Sequence, residues 1–252
     1  MANDQVPITR LAYRILRRFL QRALDGTLRK KESCLLYSRV PYSEEKTMTI
    51  DAIHLMAQLA LRYPIFHSER DFQHQLAWLL REQNPGSSLR LEVPLARPSN
   101  AMMDVLFRHA GDTHAFELKY KTRLLDTEVG GERFMLKNQS ANDLGRYDFF
   151  RDIVRMERIE ATRTSAIFLT NDPGYWAGPT RPETVDEQFS MKDGRSVAGE
   201  LNWLNHASVG TTKDRTDPIN LAGSHPTGPP APGYLLTTDA AGRGVVIGSA
   251  CR

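Results

Sequence analysis

The first periodic stretch of the chain has apolar residues at steps of four, with arginines between them. The apolar positions are Leu11, Ile15, Phe19 and Ala23. This spacing predicts an amphipathic basic helix over residues 11–24. Its arginine-rich face is typical either of a solvated helix surface or of a surface that contacts phosphates. A second helix is predicted from Ile50 to Arg62, because Pro64 interrupts helical hydrogen bonding just beyond it.

A denser run of periodic segments begins at Ser68. Ser68 and Asp71 have the spacing of a capping box at a helix N-terminus, and the apolar residues that follow share one helical face. This pattern predicts a helix from Glu69 to about Glu82. From Leu89 to Leu95 apolar and polar residues alternate, which is typical of a half-buried strand.

Two further strands are predicted to form a hairpin. They cover Met102 to Arg108 and Thr113 to Lys121, and the turn-forming residues His109–Asp112 separate them. After a polar loop, a helix is expected from Gln139 to Ile159. The apolar run Ala166–Leu169 has the composition of a buried strand. The predicted order is therefore helix, three strands, helix and strand.

The pattern weakens beyond residue 171. Residues 217–233 are rich in proline and glycine, which predicts an extended loop, and a short strand is predicted from Tyr234 to Thr238. We therefore divide the chain into an N-terminal helical extension over residues 1–64, a core over residues 65–171 and an irregular C-terminal extension over residues 172–252.

Composition narrows the functional classes. The 252 residues are 40% apolar with a formal net charge of +3, which suits one substantial core and is compatible with a polyanionic partner. Cys34 and Cys251 are far apart and have no metal-ligand spacing, so neither a disulfide framework nor a zinc module is indicated. No apolar run is long enough to span a bilayer, and the N-terminus lacks a signal-peptide pattern. We expect a soluble, cytoplasmic protein that does not associate with membranes.

Charged residues cluster on one face of the predicted hairpin. Glu117 and Lys119 are two positions apart in a strand, so their side chains project together. If the hairpin turns symmetrically about Ala110 and Gly111, Asp104 lies opposite Glu117. Two carboxylates about 5 Å apart repel each other unless a cation lies between them. Oxygen ligands on neighbouring strands that leave positions for water are what Mg²⁺ favours.

These residues resemble a known motif. Met103-Asp104 followed by Glu117-Leu118-Lys119 is similar to the Asp and Glu-x-Lys pattern of the PD-(D/E)xK nuclease superfamily, with methionine where the motif has proline. The predicted order of elements from Ser68 to Thr170 resembles the αβββαβ core of the same superfamily. The resemblance implies a restriction-endonuclease-like α/β fold, in which helices flank a mixed central sheet.

The resemblance also implies an enzyme that hydrolyses phosphodiester bonds of nucleic acid, with DNA as the expected substrate and endonuclease action in a restriction, defence or repair role. Asp104 and Glu117 would bind Mg²⁺, with Mn²⁺ able to substitute, while Lys119 would orient water or stabilise the transition state. Glu69 lies on the apolar side of its helix. We expect it either to join the metal site or to complement the helix dipole.

Residues of the helix after the hairpin are candidates for nucleic-acid contact. By resemblance, Gln139, Arg146 and Tyr147 lie where related proteins carry a polar or aromatic residue near the site. Arg151 and Arg155 share a helix face that could follow a phosphate backbone, although acidic residues three positions earlier also favour a solvated ion-pair face.

Two other functions stay open at this point. One is a nucleic-acid-binding protein of the same fold that has lost catalysis, and the other is a nuclease that acts on RNA. No residue in the sequence separates the two sugars. A homodimer is also open.

Overall fold

The structure is a computed structural model that describes residues 50, 52–95, 101–177, 182–192, 195–227, 234–238 and 244–249. The basic helix predicted over residues 11–24 lies outside these residues. In the described part the helices are α1 (Ala52–Arg62), α2 (Glu69–Gln83), α3 (Asn142–Glu157) and the short α4 (Val209–Thr212). None of them is long and apolar enough to cross a membrane.

The strands predicted for the core are present in the predicted order, with two additional strands between the predicted hairpin and α3, and further strands follow the core. They are β1 (Ser88–Pro94), β2 (Met102–His109), β3 (Asp112–Lys121), β4 (Leu125–Val129), β5 (Glu132–Leu136), β6 (Arg163–Thr170), β7 (Arg195–Leu201), β8 (Ile219–Thr227), β9 (Tyr234–Thr238) and β10 (Gly244–Ser249). The helix–strand–strand–strand–helix–strand order predicted from Ser68 to Thr170 is present as α2, β1, β2, β3, α3 and β6.

Local chemistry explains where these elements begin. The Ser68 hydroxyl accepts a hydrogen bond from the Asp71 N–H at 3.1 Å, so the predicted cap of α2 is confirmed. The helix predicted from Gln139 begins later, at Asn142, because Ala141 adopts a left-handed conformation with φ of 75°.

Several segments differ from the sequence-based prediction. The loop expected between β3 and α3 contains the hairpin of β4 and β5, whose turn is formed by Gly130 and Gly131 with φ of 63° and 85°. Residues 219–227, expected to be part of a loop, pair with β7 as strand β8. The predicted strand Tyr234–Thr238 is confirmed as β9, and it pairs with an unpredicted strand, β10. The C-terminal extension is thus more regular than its sequence indicates.

One mixed sheet organises the core, which confirms an α/β fold with a mixed central sheet. Its six strands have the order β1-β2-β3-β6-β10-β9. Antiparallel pairing joins β1, β2 and β3, whereas β3, β6 and β10 are parallel. Because β10 lies beside β6, residues of the C-terminal extension complete the same sheet as the core.

Helices cover both faces of the sheet, and this sets the direction of each side chain on β3. One apolar cluster packs α1, α2 and β5 against the face that contains Phe116, Leu118 and Tyr120. The second cluster packs α3, β7 and β8 against the opposite face. Since alternate residues of a strand point to opposite faces, Glu117 and Lys119 project toward α3.

Candidate functional site

The site lies where the pairing between β2 and β3 ends. Pairs run from His109–Asp112 to Val105–Phe116 in the predicted register, but the ladder ends before the expected pairing of Asp104 with Glu117, which is not formed. The pairing of β1 with β2 is also interrupted here, since Leu91 and Val93 have partners in β2 while Glu92 between them has none and adopts a φ of 51°. The strands are therefore irregular on both sides of Asp104.

Two carboxylates complete the hydrogen bonding of β3 beyond this point. The Leu118 N–H donates to Oδ2 of Asp104 at 2.6 Å, and the Tyr120 N–H donates to Oε2 of Glu69 at 2.7 Å. Alternate N–H groups of a strand point to the same side, so these two donors share the edge that faced β2. A buried N–H without an acceptor is costly. Asp104 and Glu69 thus have a structural role as acceptors for β3.

Gln73 on α2 contacts the strands at the point where β2 and β3 stop pairing. Its side-chain amide donates to the backbone carbonyl of Asp104 at 2.8 Å and to Oε1 of Glu92 at 2.9 Å. The residue is 4% exposed, although it lies on a helix face that is otherwise apolar. Gln73 therefore fixes the backbone that carries Asp104 and holds a further carboxylate beside it.

On the α3 side, four charged residues form one ion-paired group. Nζ of Lys119 lies 3.5 Å from Oε1 of Glu117 and 3.0 Å from Oδ2 of Asp152. Nη2 of Arg155 donates to the same Glu117 oxygen, and Nη1 of Arg155 lies 2.7 Å from Oδ1 of Asp152. Glu117 is 2% exposed and Asp152 is 6% exposed, so these pairs are shielded from solvent.

Burial and nearby negative charges raise the pKa values of the Asp104 and Glu117 carboxyl groups. Burial raises the pKa of Asp104 to about 6, with the negative charges of Glu69 and Glu92 acting in the same direction against the Leu118 hydrogen bond and Lys119.

The pKa of Glu117 rises further, to about 7. Burial is again the largest cause, and the negative charges of Asp104 and Asp152 add to it, while Arg155 and Lys119 oppose the rise. Burial lowers the pKa of Lys119, but the surrounding carboxylates more than offset this and raise it above its ordinary value. Lys119 is therefore cationic at neutral pH.

Negative charge is in excess at the site. Among the described residues, five carboxyl groups (Glu69, Glu92, Asp104, Glu117 and Asp152) interact with two cations (Lys119 and Arg155), so full ionisation of these groups gives two minus five, a net charge of −3. A phosphate group would be repelled by this cluster in the absence of a further cation.

The donor chemistry fits a hard divalent cation. The carboxylate oxygens are the ligands that Mg²⁺ prefers, and Oε2 of Glu117 is buried without a hydrogen-bond partner. In the part of the chain that the structure describes, however, no three His, Cys, Asp or Glu side chains converge as a ready-made metal site. Glu117 is turned toward Arg155 instead. The residues thus fit the ion in type and charge, while their arrangement is that of an ion-paired state.

The remaining sequence-predicted residues are not brought into this cluster, apart from Arg155. Gln139 is exposed and exchanges hydrogen bonds with the backbone of Thr122. Arg146 pairs with Asp186, and its Nη1 donates to the carbonyl of Gly174 at 3.0 Å.

Tyr147 and Arg151 of α3 also lie outside the charged cluster. Tyr147 is 2% exposed, stacks on Trp203 and donates to the carbonyl of Asp217 at 2.8 Å, so it packs in the apolar core. Arg151 is exposed to solvent. The structure therefore separates Tyr147 from the charged cluster and leaves Arg151 on the surface.

Sequence reasoning missed Asp152, Gln73 and Glu92. Asp152 had a visible signal, because it lies beside Phe149, Ile153 and Met156 on the buried face of α3, where an acidic residue is unusual. Gln73 had the same signal on α2. Glu92 had no such signal, because it occupies an ordinary polar position in the alternating apolar and polar sequence of β1.

The chain matches no protein-family model, and no curated protein or solved structure matches it significantly. The interpretation of the site therefore depends on its geometry and charge. Carboxyl groups that ionise near neutral pH, a neighbouring lysine that stays cationic and a surplus of negative charge can together bind a divalent cation and stabilise an anionic transition state.

Proposed function

We propose that this chain is a divalent-cation-dependent nuclease that hydrolyses phosphodiester bonds of DNA and has a restriction-endonuclease-like core. The observation that carries the proposal is the meeting of Asp104, Glu117 and Lys119 at the point where β2 and β3 stop pairing. The order α2, β1, β2, β3, α3 and β6 supports the αβββαβ arrangement.

Each charged residue has a distinct task in this proposal. Asp104 and Glu117, with Glu69 as a further ligand, would hold Mg²⁺ or Mn²⁺. When bound, such an ion supplies positive charge to phosphate oxygens and makes water more acidic. Lys119 either orients the attacking water or stabilises the negative charge that grows on the phosphate. Asp152 keeps the ammonium group of Lys119 in place.

Purified protein tests this function directly. Plasmid, linear duplex DNA, single-stranded DNA and RNA are each incubated with Mg²⁺, with Mn²⁺ or with EDTA. We expect cleavage of DNA that requires the cation and disappears in Asp104→Asn. Asp126→Asn is the matched control, because Asp126 is an exposed acid whose partner is Arg133 in the β4–β5 hairpin. Absence of cleavage in every condition, or full cleavage by Asp104→Asn, would overturn the proposal.

A second candidate is a nucleic-acid-binding protein that lacks catalysis. The contacts of Glu117 with Arg155 and Lys119 favour it, because they compensate the charge of this carboxylate within the protein. The same incubation separates the two functions, provided that binding of each nucleic acid is measured alongside its cleavage. Binding without cleavage in Mg²⁺ and Mn²⁺ identifies the second candidate, and cleavage confined to RNA identifies the RNA-directed alternative.

A further inference from the structure

Arg155 bridges the two most buried acidic side chains of the site. One guanidinium nitrogen bonds to Oε1 of Glu117 and the other lies 2.7 Å from Oδ1 of Asp152. The side chains of these partners are 3% and 9% exposed, whereas that of Arg155 is 25% exposed. The guanidinium therefore lies between buried carboxylates and solvent.

Glu117 shows an asymmetry that a bound cation would remove. Its Oε1 forms ion pairs with both Arg155 and Lys119. Its Oε2 is buried and has no hydrogen-bond partner. A buried carboxylate oxygen without a partner is unfavourable. A divalent cation that binds Glu117 and Asp104 would meet the positive charge of Arg155 at the same carboxylate, and the two like charges would repel each other.

We infer that Arg155 is an internal counter-ion that occupies Glu117 in the metal-free site, and that a divalent cation binds in exchange for this contact. The inference rests on the proposed function. It explains why carboxyl groups that could bind Mg²⁺ lie close together here, although no three of them among the described residues are arranged to hold a metal ion.

Arg155 is better suited to leave Glu117 than Lys119 is. Lys119 lies closer to Asp152 than to Glu117, so its main partner is on α3. Arg155 has a long side chain that reaches solvent, and Asp152 three residues earlier on the same helix remains available to it after the exchange. Released from Glu117, the guanidinium would retain one ion pair and gain freedom to contact a substrate phosphate.

Calorimetric titration of Mn²⁺ into the metal-free full-length protein tests the exchange without relying on activity. We expect Arg155→Gln to bind Mn²⁺ at least about tenfold more tightly than wild type, since a competing positive charge has been removed. Arg155→Lys retains the charge but cannot bridge both carboxylates as a fork, so its Mn²⁺ affinity should lie between those of wild type and Arg155→Gln. Arg133→Gln is the control, because it breaks an exposed arginine–carboxylate pair away from the site and should leave the affinity unchanged.

A second measurement follows the guanidinium in the wild-type protein. Addition of Mg²⁺ should accelerate solvent exchange of the Arg155 side-chain N–H groups in ¹⁵N NMR spectra, and Asp104→Asn should abolish this effect. Near-ultraviolet circular dichroism shows whether each variant is folded. If Arg155→Gln does not fold, the NMR experiment on the wild-type protein tests the exchange by itself.

The outcomes distinguish this inference from the proposed function. If wild type binds Mn²⁺ through Asp104 while Arg155→Gln binds equally or more weakly, the exchange is wrong and the metal site stands. If neither wild type nor Arg155→Gln binds the ion, both are overturned. Tighter binding by Arg155→Gln, together with faster Arg155 exchange in Mg²⁺, supports the inference.

Discussion

Nζ of Lys119 on β3 lies 3.0 Å from Oδ2 of Asp152 on α3. The lysine is thus anchored from the helix as well as from its own strand, where Glu117 is 3.5 Å away. Asp152 is 6% exposed and also contacts Arg155, so one acidic side chain holds both cations of the site. This places α3, and not only the β2–β3 hairpin, in control of the position of Lys119.

Replacement of Asp152 should therefore change how activity depends on pH. Burial lowers the pKa of Lys119 while Asp152 is the strongest of the groups that raise it, and Asp152 also raises the pKa of Glu117. In Asp152→Asn the pKa of Glu117 should fall, so the acidic limb of the pH–rate profile should move to lower pH, with a loss in kcat larger than any change in KM. Asp148→Asn is the control, because Asp148 lies one turn before Asp152 on α3 and pairs with Arg215, away from Lys119. A profile that keeps its wild-type acidic limb would contradict a positioning role.

Asn and Ala at position 104 should have different effects on stability. Both remove the metal-binding charge, so both should abolish cleavage. Asn keeps an oxygen that accepts the Leu118 N–H, whereas Ala leaves this donor without its acceptor, which should cost about 1 to 3 kcal/mol of unfolding free energy. Cleavage assays combined with urea unfolding measure the two effects separately. Equal stability of the two variants would show that the hydrogen bond contributes little, and cleavage by either would remove Asp104 from the site.

In metal-free protein, Asp104 and Glu117 should contribute a loss of stability as pH rises. Asp104 and Glu117 have pKa values of about 6 and 7 in the folded state, above their ordinary values of 3.8 and 4.5. The folded protein therefore binds more protons than the unfolded chain between these limits, so the unfolding free energy decreases from about pH 4 to pH 7 at these two groups. Urea unfolding in EDTA at pH 5 and pH 8 measures the slope.

Two comparisons assign this slope to the site. Glu117→Gln should flatten it, because the variant has no carboxyl group to ionise at that position. Millimolar Mg²⁺ at pH 8 should stabilise wild type, since the ion binds the folded state alone, and should have no such effect on Asp104→Asn. Stability that rises with pH in EDTA across the same range, with the same slope in Glu117→Gln, would contradict the raised pKa values.

Glu69 can be tested by a change that preserves its hydrogen bond. Glu69→Gln keeps an oxygen for the Tyr120 N–H and removes one negative charge. If Glu69 is a metal ligand, the Mg²⁺ dependence of cleavage should shift to higher concentration and be partly restored by Mn²⁺, which binds such sites more tightly. If it only caps β3 and complements the helix dipole, stability should change by about 0.3 to 1 kcal/mol and the two Mg²⁺ curves should superimpose.

The sequence by itself determined the local geometry of the candidate site. Strand alternation placed Glu117 and Lys119 on one face, and the turn at Ala110-Gly111 set the register that brings Asp104 close to them. These features depend on residues near each other in the chain, so periodicity and turn chemistry are sufficient to predict them. The capping of α2 by Ser68 is local in the same sense.

Only the tertiary structure decided which residues join that geometry from elsewhere in the chain. The rotation of α3 against the sheet brings Asp152 and Arg155 to Glu117 and sends Tyr147 into the core. The pairing of β10 with β6 is likewise a contact between distant segments. Sequence periodicity defines a helix face but not the partner that it meets, and the pKa values of Asp104 and Glu117 depend on the burial that this packing creates.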